Sequence, residues 1–113
     1  MRKDNDLHLE DMFVAICKIN SYLESFSYED FVHNEMAQDA VIRQFEIIGE
    51  AASRLSTDFV AENPDFPARQ TKEMRNLLVH EYDYVNTKEI WDTVQKDLPD
   101  LNRRLKKLLY GKQ

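Results

Sequence analysis

Across residues 35–55 the apolar side chains Ala37, Val41, Phe45, Ile48, Ala52 and Leu55 fall at every third or fourth position. That spacing makes one stripe of an α-helix, whereas a half-buried strand needs strict alternation. The same period runs through Leu9, Met12, Phe13, Ile16, Ile19 or Asn20, Leu23 and Phe26. It returns in Ile90, Trp91, Val94, Leu98, Leu101, Leu105 and Leu108. Helices striped in this way bury the stripes against one another, and the result is a bundle. Two glycines and three prolines supply too few turns for a sandwich or barrel. The expected fold is all-α: an antiparallel bundle of four main helices plus short helical turns, one domain over residues 1–113.

The expected boundaries follow from caps and breakers. The first helix covers roughly residues 6–26, the second 35–55, the third 68–82, and the fourth runs from an Asn86 cap to near residue 110. Ser27 is positioned to cap a short segment beginning Tyr28-Glu29-Asp30, where acids suit the positive helix end. Ser56 and Thr57 can cap a further turn, and Asn63-Pro64 and Phe66-Pro67 break the chain before the third helix. Asn86 followed by Glu89 has the form of a capping box. Pro99 should kink or split the fourth helix, because it removes one backbone hydrogen bond. Gly49 inside the second helix costs about 1 kcal/mol relative to alanine, so it is expected to permit a close helix contact.

Composition narrows the function classes. No apolar run approaches a membrane span and the first residues lack an export segment, so a cytoplasmic, membrane-free protein is the expectation. A single cysteine, Cys17, excludes a disulfide framework or a cysteine metal site and reads as a small buried hydrophobe. Residues 1–65 carry fourteen acids and five bases (net −9), and residues 66–113 seven acids and ten bases (net +3). An acidic total argues against a general nucleic-acid coat. A local basic surface around Arg69, Lys72 and Arg75, with Arg103, Arg104, Lys106 and Lys107, is still open to such a partner. For the C-terminal group, simple complementation of a helix dipole explains the charges as well.

The chemistry concentrates in Met74-Arg75-Asn76-Leu77-Leu78-Val79-His80-Glu81-Tyr82. At about 100° per residue Asn76 and His80 lie one turn apart on one helix face, and Arg75 lies about 140° from His80 with a side chain long enough to reach the same pocket. Cleaving RNA without a metal requires a deprotonated ribose 2′-hydroxyl, stabilisation of the phosphorane and a proton for the leaving 5′-oxygen. Histidine, with a pKa near 6.5, serves either proton transfer, and arginine matches phosphate oxygens in pairs. Arg75 and His80 are therefore the catalytic candidates and Asn76 a supporting one. One histidine per stretch does not supply both acid and base, which predicts a homodimer with a composite cleft. On the second helix, Asp39, Arg43, Glu46, Glu50 and Arg54 form a polar row at three-and-four spacing. It is either a solvated ladder of ion pairs or, through Arg43, Glu46 and Glu50, a support that orients Arg75 or His80. No second histidine stands at metal-ligand spacing, so no metal and no cofactor are expected.

The segment Arg75 to Tyr82 resembles the Arg-x4-His-x-Tyr signature of the HepT-like branch of the HEPN superfamily. Gln38-Asp39-Ala40-Val41-Ile42-Arg43 through Ile48-Gly49-Glu50-Ala51-Ala52, the proline-bearing turn before the third helix, and Ile90-Trp91 with Asp97-Leu98-Pro99 agree in order and spacing. The resemblance covers about residues 7–110. It implies a HEPN-like helical homodimer acting as a metal-independent endoribonuclease, the toxin of a type VII toxin–antitoxin pair. It also implies a cognate minimal nucleotidyltransferase antitoxin that silences the toxin by transferring AMP to the motif tyrosine, Tyr82 here. Asp83-Tyr84 follow that tyrosine where many relatives carry an aromatic and then glycine, so Tyr84 is a second candidate for the modification. The alternative reading is a non-catalytic helical subunit that binds a minimal nucleotidyltransferase or a nucleotide.

Overall fold

The stripe on residues 35–55 becomes the central helix of the molecule. In the computed structural model, which describes residues 4–75 and 86–111, all six of its apolar positions are buried. The helices in chain order are α1 (Asp4–Tyr22), α2 (Tyr28–Val32), α3 (Glu35–Ser53), α4 (Thr57–Glu62), α5 (Ala68–Lys72), α6 (Thr87–Asp92) and α7 (Leu98–Tyr110). Among the described residues there is no strand, and no helix is long and apolar enough to cross a membrane. The fold is the expected all-α, HEPN-like bundle.

The core forms where α1, α3 and α7 meet. Leu9, Met12, Ile16 and Ile19 of α1 pack with Val41, Phe45 and Ile48 of α3 and with Leu98, Leu101 and Leu105 of α7. Ile19 rather than Asn20 takes the ambiguous position in the first stripe. Fully burying a side chain such as Phe45 or Ile48 contributes about 1.5–3 kcal/mol. α1 and α3 run antiparallel, because Asn5 at the start of α1 meets Ser56 just beyond the end of α3. The Asn5 amide donates to Ser56 Oγ at 3.1 Å, and the Ser56 backbone N–H donates to Asn5 Oδ1 at 3.0 Å. Trp91 closes the opposite corner against Phe31 and Tyr28, with ring centroids 5.5 and 5.8 Å away.

Local signals end the helices where backbone groups need partners. Ser27 forms a full capping box with Asp30, Asn34 caps α3 through the Ala37 N–H, Ser56 caps α4 and Asn86 caps α6. Three expectations need correction. The first helix stops at Tyr22, four residues early, because the chain turns into the Ser27 box. The fourth helix is neither simply kinked nor broken at Pro99: Thr93–Asp97 form a π-helical turn, in which the Leu98 N–H reaches Thr93 five residues back. Pro99 then sits in the first turn of α7, where a missing N–H is tolerated. Cys17 is exposed, not buried, since it lies about 100° around the helix from the buried Ile16.

Candidate active site

Arg75 is reached through a close contact between two chain segments. α5 crosses α3 at Gly49, and Met74 and Arg75 continue in helical conformation just beyond it. A β-carbon on Gly49 would lie 2.8 Å from Arg75 Cβ, 3.0 Å from the Arg75 nitrogen and 3.0 Å from the Lys72 carbonyl oxygen. The glycine is there for proximity and not for an unusual backbone angle, since among the described residues no φ is positive. The expected close helix contact at Gly49 is therefore present, and its partner is the backbone of Arg75.

That contact brings the Arg75 guanidinium to the carboxylate of the next residue along α3. Arg75 Nη1 donates to Glu50 Oε1 at 2.7 Å, and Arg54 Nη2 donates to Glu50 Oε2 at 3.3 Å. Glu50 thus stands between two arginines, one from its own helix and one twenty-five residues away. Arg43 and Glu46 make a looser pair at 4.0 Å one turn earlier. The Arg75 side chain is 35% exposed and the Glu50 side chain 51%, so both groups remain open to a ligand from solvent.

These residues line a cavity of about 630 Å³ whose wall consists of His8, Asp11, Arg43, Glu46, Ile47, Glu50, Ala51, Arg54 and Arg75. The volume suits a nucleotide-sized ligand. Four of the seven candidate site residues (Arg43, Glu46, Glu50 and Arg75) therefore share one space, together with Arg54 of the polar row. The other three, Asn76, His80 and Tyr82, lie outside the described residues, as does Tyr84. His8 and Asp11 of α1 also face the cavity. No local signal marks them, because the groups they face are more than thirty residues away.

Among the described residues the wall carries three guanidinium groups, three carboxylates and an imidazole. Arginine recognises carboxylate and phosphate by the same paired geometry, so a phosphate entering here meets donors already arranged for an anion. Among the described residues no three His, Cys, Asp or Glu side chains gather as a metal-binding group.

The family profile described as "Ribonuclease HepT-like" matches residues 12–108. A protein of Thermococcus cleftensis named "Probable ribonuclease HepT" is 37% identical over 96% of this chain and 98% of its own length. A "Putative RNase" of Caldanaerobacter subterraneus is 37% identical over 77% of this chain and 78% of its own. A Methanocaldococcus jannaschii protein named "Gamma-glutamylcyclotransferase and putative RNase" is 35% identical over 96% of this chain, which spans 49% of that relative. No solved structure matches the chain with comparable significance. With the profile spanning nearly all of the sequence and a relative aligned end to end, the chain belongs to the HepT-like ribonuclease family.

Proposed function

We propose that the chain is a metal-independent endoribonuclease and acts as the toxin of a type VII nucleotidyltransferase/HEPN toxin–antitoxin pair. The observation that carries this reading is the placement of Arg75. Its guanidinium lines a nucleotide-sized, arginine-bearing cavity, and its backbone leads directly into the segment Asn76–Tyr82 that holds the family signature. Family membership supports the ribonuclease class.

In this mechanism His80 removes the proton of the ribose 2′-hydroxyl, and the 2′-oxygen attacks the adjacent phosphorus. Arg75 stabilises the charge of the phosphorane, which is where fixed donors contribute most. The bond from phosphorus to the 5′-oxygen breaks, and that oxygen takes a proton from His80 of the partner subunit. The products are a 2′,3′-cyclic phosphate and a 5′-hydroxyl. Asn76 supports His80, and Arg43, Glu46 and Glu50 support Arg75 from α3. A cognate minimal nucleotidyltransferase silences the site by placing AMP on Tyr82.

The test is cleavage of single-stranded RNA by the unmodified protein in the presence of a chelator. His80→Ala should lose at least about 100-fold, the usual reach of general acid–base catalysis. Intact mass after incubation with ATP and the nucleotidyltransferase should rise in AMP-sized steps that map to Tyr82. Cleavage that survives in the His80 variant rejects the mechanism. No cleavage by the unmodified protein favours a non-catalytic partner subunit, and AMP found elsewhere rejects Tyr82 as the target.

A further inference from the structure

We infer that Gly49 and Glu50 together form a seat that positions Arg75 for its phosphate contact, Gly49 fixing the backbone and Glu50 the guanidinium. The inference rests on the ribonuclease reading for its consequence but on separate geometry for its substance. Two consecutive residues of α3 touch one residue of another segment at its two ends. At Gly49 the approach is so close that even a methyl group would meet Arg75 Cβ and backbone atoms at 2.8–3.0 Å. At Glu50 one carboxylate oxygen takes Arg75 and the other takes Arg54. A long flexible arginine is thereby held at its root and at its tip, which reduces the rotamer freedom left to lose on binding.

The wall as a whole balances three guanidinium groups against three carboxylates. At the seat itself two guanidinium groups surround one carboxylate, so a phosphodiester approaching Glu50 meets a local excess of one cation. Glu50 is itself an anion beside a polyanionic substrate, so it opposes binding while it aligns the group that acts on the transition state. A residue with that pair of effects has a kinetic signature. Its loss should lower kcat and should not raise KM.

The experiment is Glu50→Gln, which keeps size and an oxygen acceptor and removes the charge, in the full chain with a labelled single-stranded oligoribonucleotide. We expect kcat to fall about tenfold with KM unchanged or lower, and with a melting temperature within a few degrees of the parent. A group that merely stabilises the fold would shift the melt and leave kcat of the folded protein intact. The Arg75 Nη–H signal, assigned by its absence in Arg75→Lys, supplies a readout independent of activity. It should be distinct and slowly exchanging in the parent and collapse toward the solvent-exposed arginines in Glu50→Gln. A kcat within twofold of the parent, or an Arg75 resonance unaltered by the substitution, overturns the seat. If the parent itself cleaves no RNA, the ribonuclease reading fails and the resonance alone decides whether the seat exists.

Discussion

Two arginine–carboxylate–arginine groups occur among the described residues, and they differ in how far they reach. On α7, Asp100 pairs with Arg103 and Arg104, three and four residues on, and Arg104 also donates to the Asp65 carbonyl at 2.8 Å. At the cavity, Glu50 pairs with Arg54 four residues on and with Arg75 from another segment. The chemistry is the same. The first group decorates a helix and ties down a loop. Both groups border cavities, but only the second joins two segments whose backbones already touch at a glycine, Gly49. An ion pair acquires a task beyond solvation when an independent contact fixes the distance between the elements that bear it.

The largest break in that comparison should come from truncating the two arginines that end the longer links. Arg75→Ala is expected to lower RNA cleavage about 100-fold or more, as loss of one transition-state donor does. Arg104→Ala should leave cleavage within twofold and move the melting temperature by no more than a few degrees. Equal losses would mean that the cavity group has no special standing. Gly49→Ala should have a middling effect. The clash with Arg75 costs about 1–3 kcal/mol, which exceeds the roughly 1 kcal/mol that alanine gains in helix propensity. The displaced Arg75 should also lower kcat about tenfold, since small misplacements of a catalytic group are expensive. Denaturant midpoints and initial rates on the same preparation check both halves.

The smallest effect is a matter of pH. The hydrogen bond from Arg104 holds the Asp100 carboxyl below the usual carboxylate range, and Lys88 does the same for Asp92. A carboxyl with a depressed folded pKa adds stability that is complete above its unfolded pKa of about 4 and is lost as pH falls through the folded value. Asp100→Asn should therefore lower stability slightly near neutrality, converge with the parent in strong acid, and so flatten the acid limb of the stability curve. Thermal melts between strongly acidic and neutral pH would show it, and an unchanged acid limb would remove Asp100 from the account.

The sequence makes the α7 group legible and leaves half of the cavity group as one of two open readings. Spacing of three and four announces Asp100 with Arg103 and Arg104, and Glu50 with Arg54. Nothing in that rule connects Glu50 to Arg75 across twenty-five residues. The one hint is Gly49, a poor helix former kept inside a helix, which marks a close approach without naming what approaches. The apolar stripes and caps that place α1, α3 and the last helices are likewise local and legible. Cys17 is misread because one position of a stripe's edge separates core from solvent, and no period resolves that. Pro99 announces a disturbance, but whether a helix answers with a kink or a π-helical turn depends on the packing around it. His8 and Asp11 carry no signal because their neighbours in the cavity are distant in the chain.

The Asn5–Ser56 pair has a consequence at the mouth of the cavity. His8 stands about one turn along α1 from Asn5, and Arg54 lies two residues before Ser56, so the two walls leave the same fastening. Elsewhere α1 and α3 are spaced by side chains that interdigitate, and such spacing gives a little when a core residue changes. At this end a pair of polar contacts of 3.0 and 3.1 Å joins the start of α1 to the residues just past α3. The mouth of the cavity is thus bordered by a polar tie, while the rest of the α1–α3 spacing rests on apolar packing.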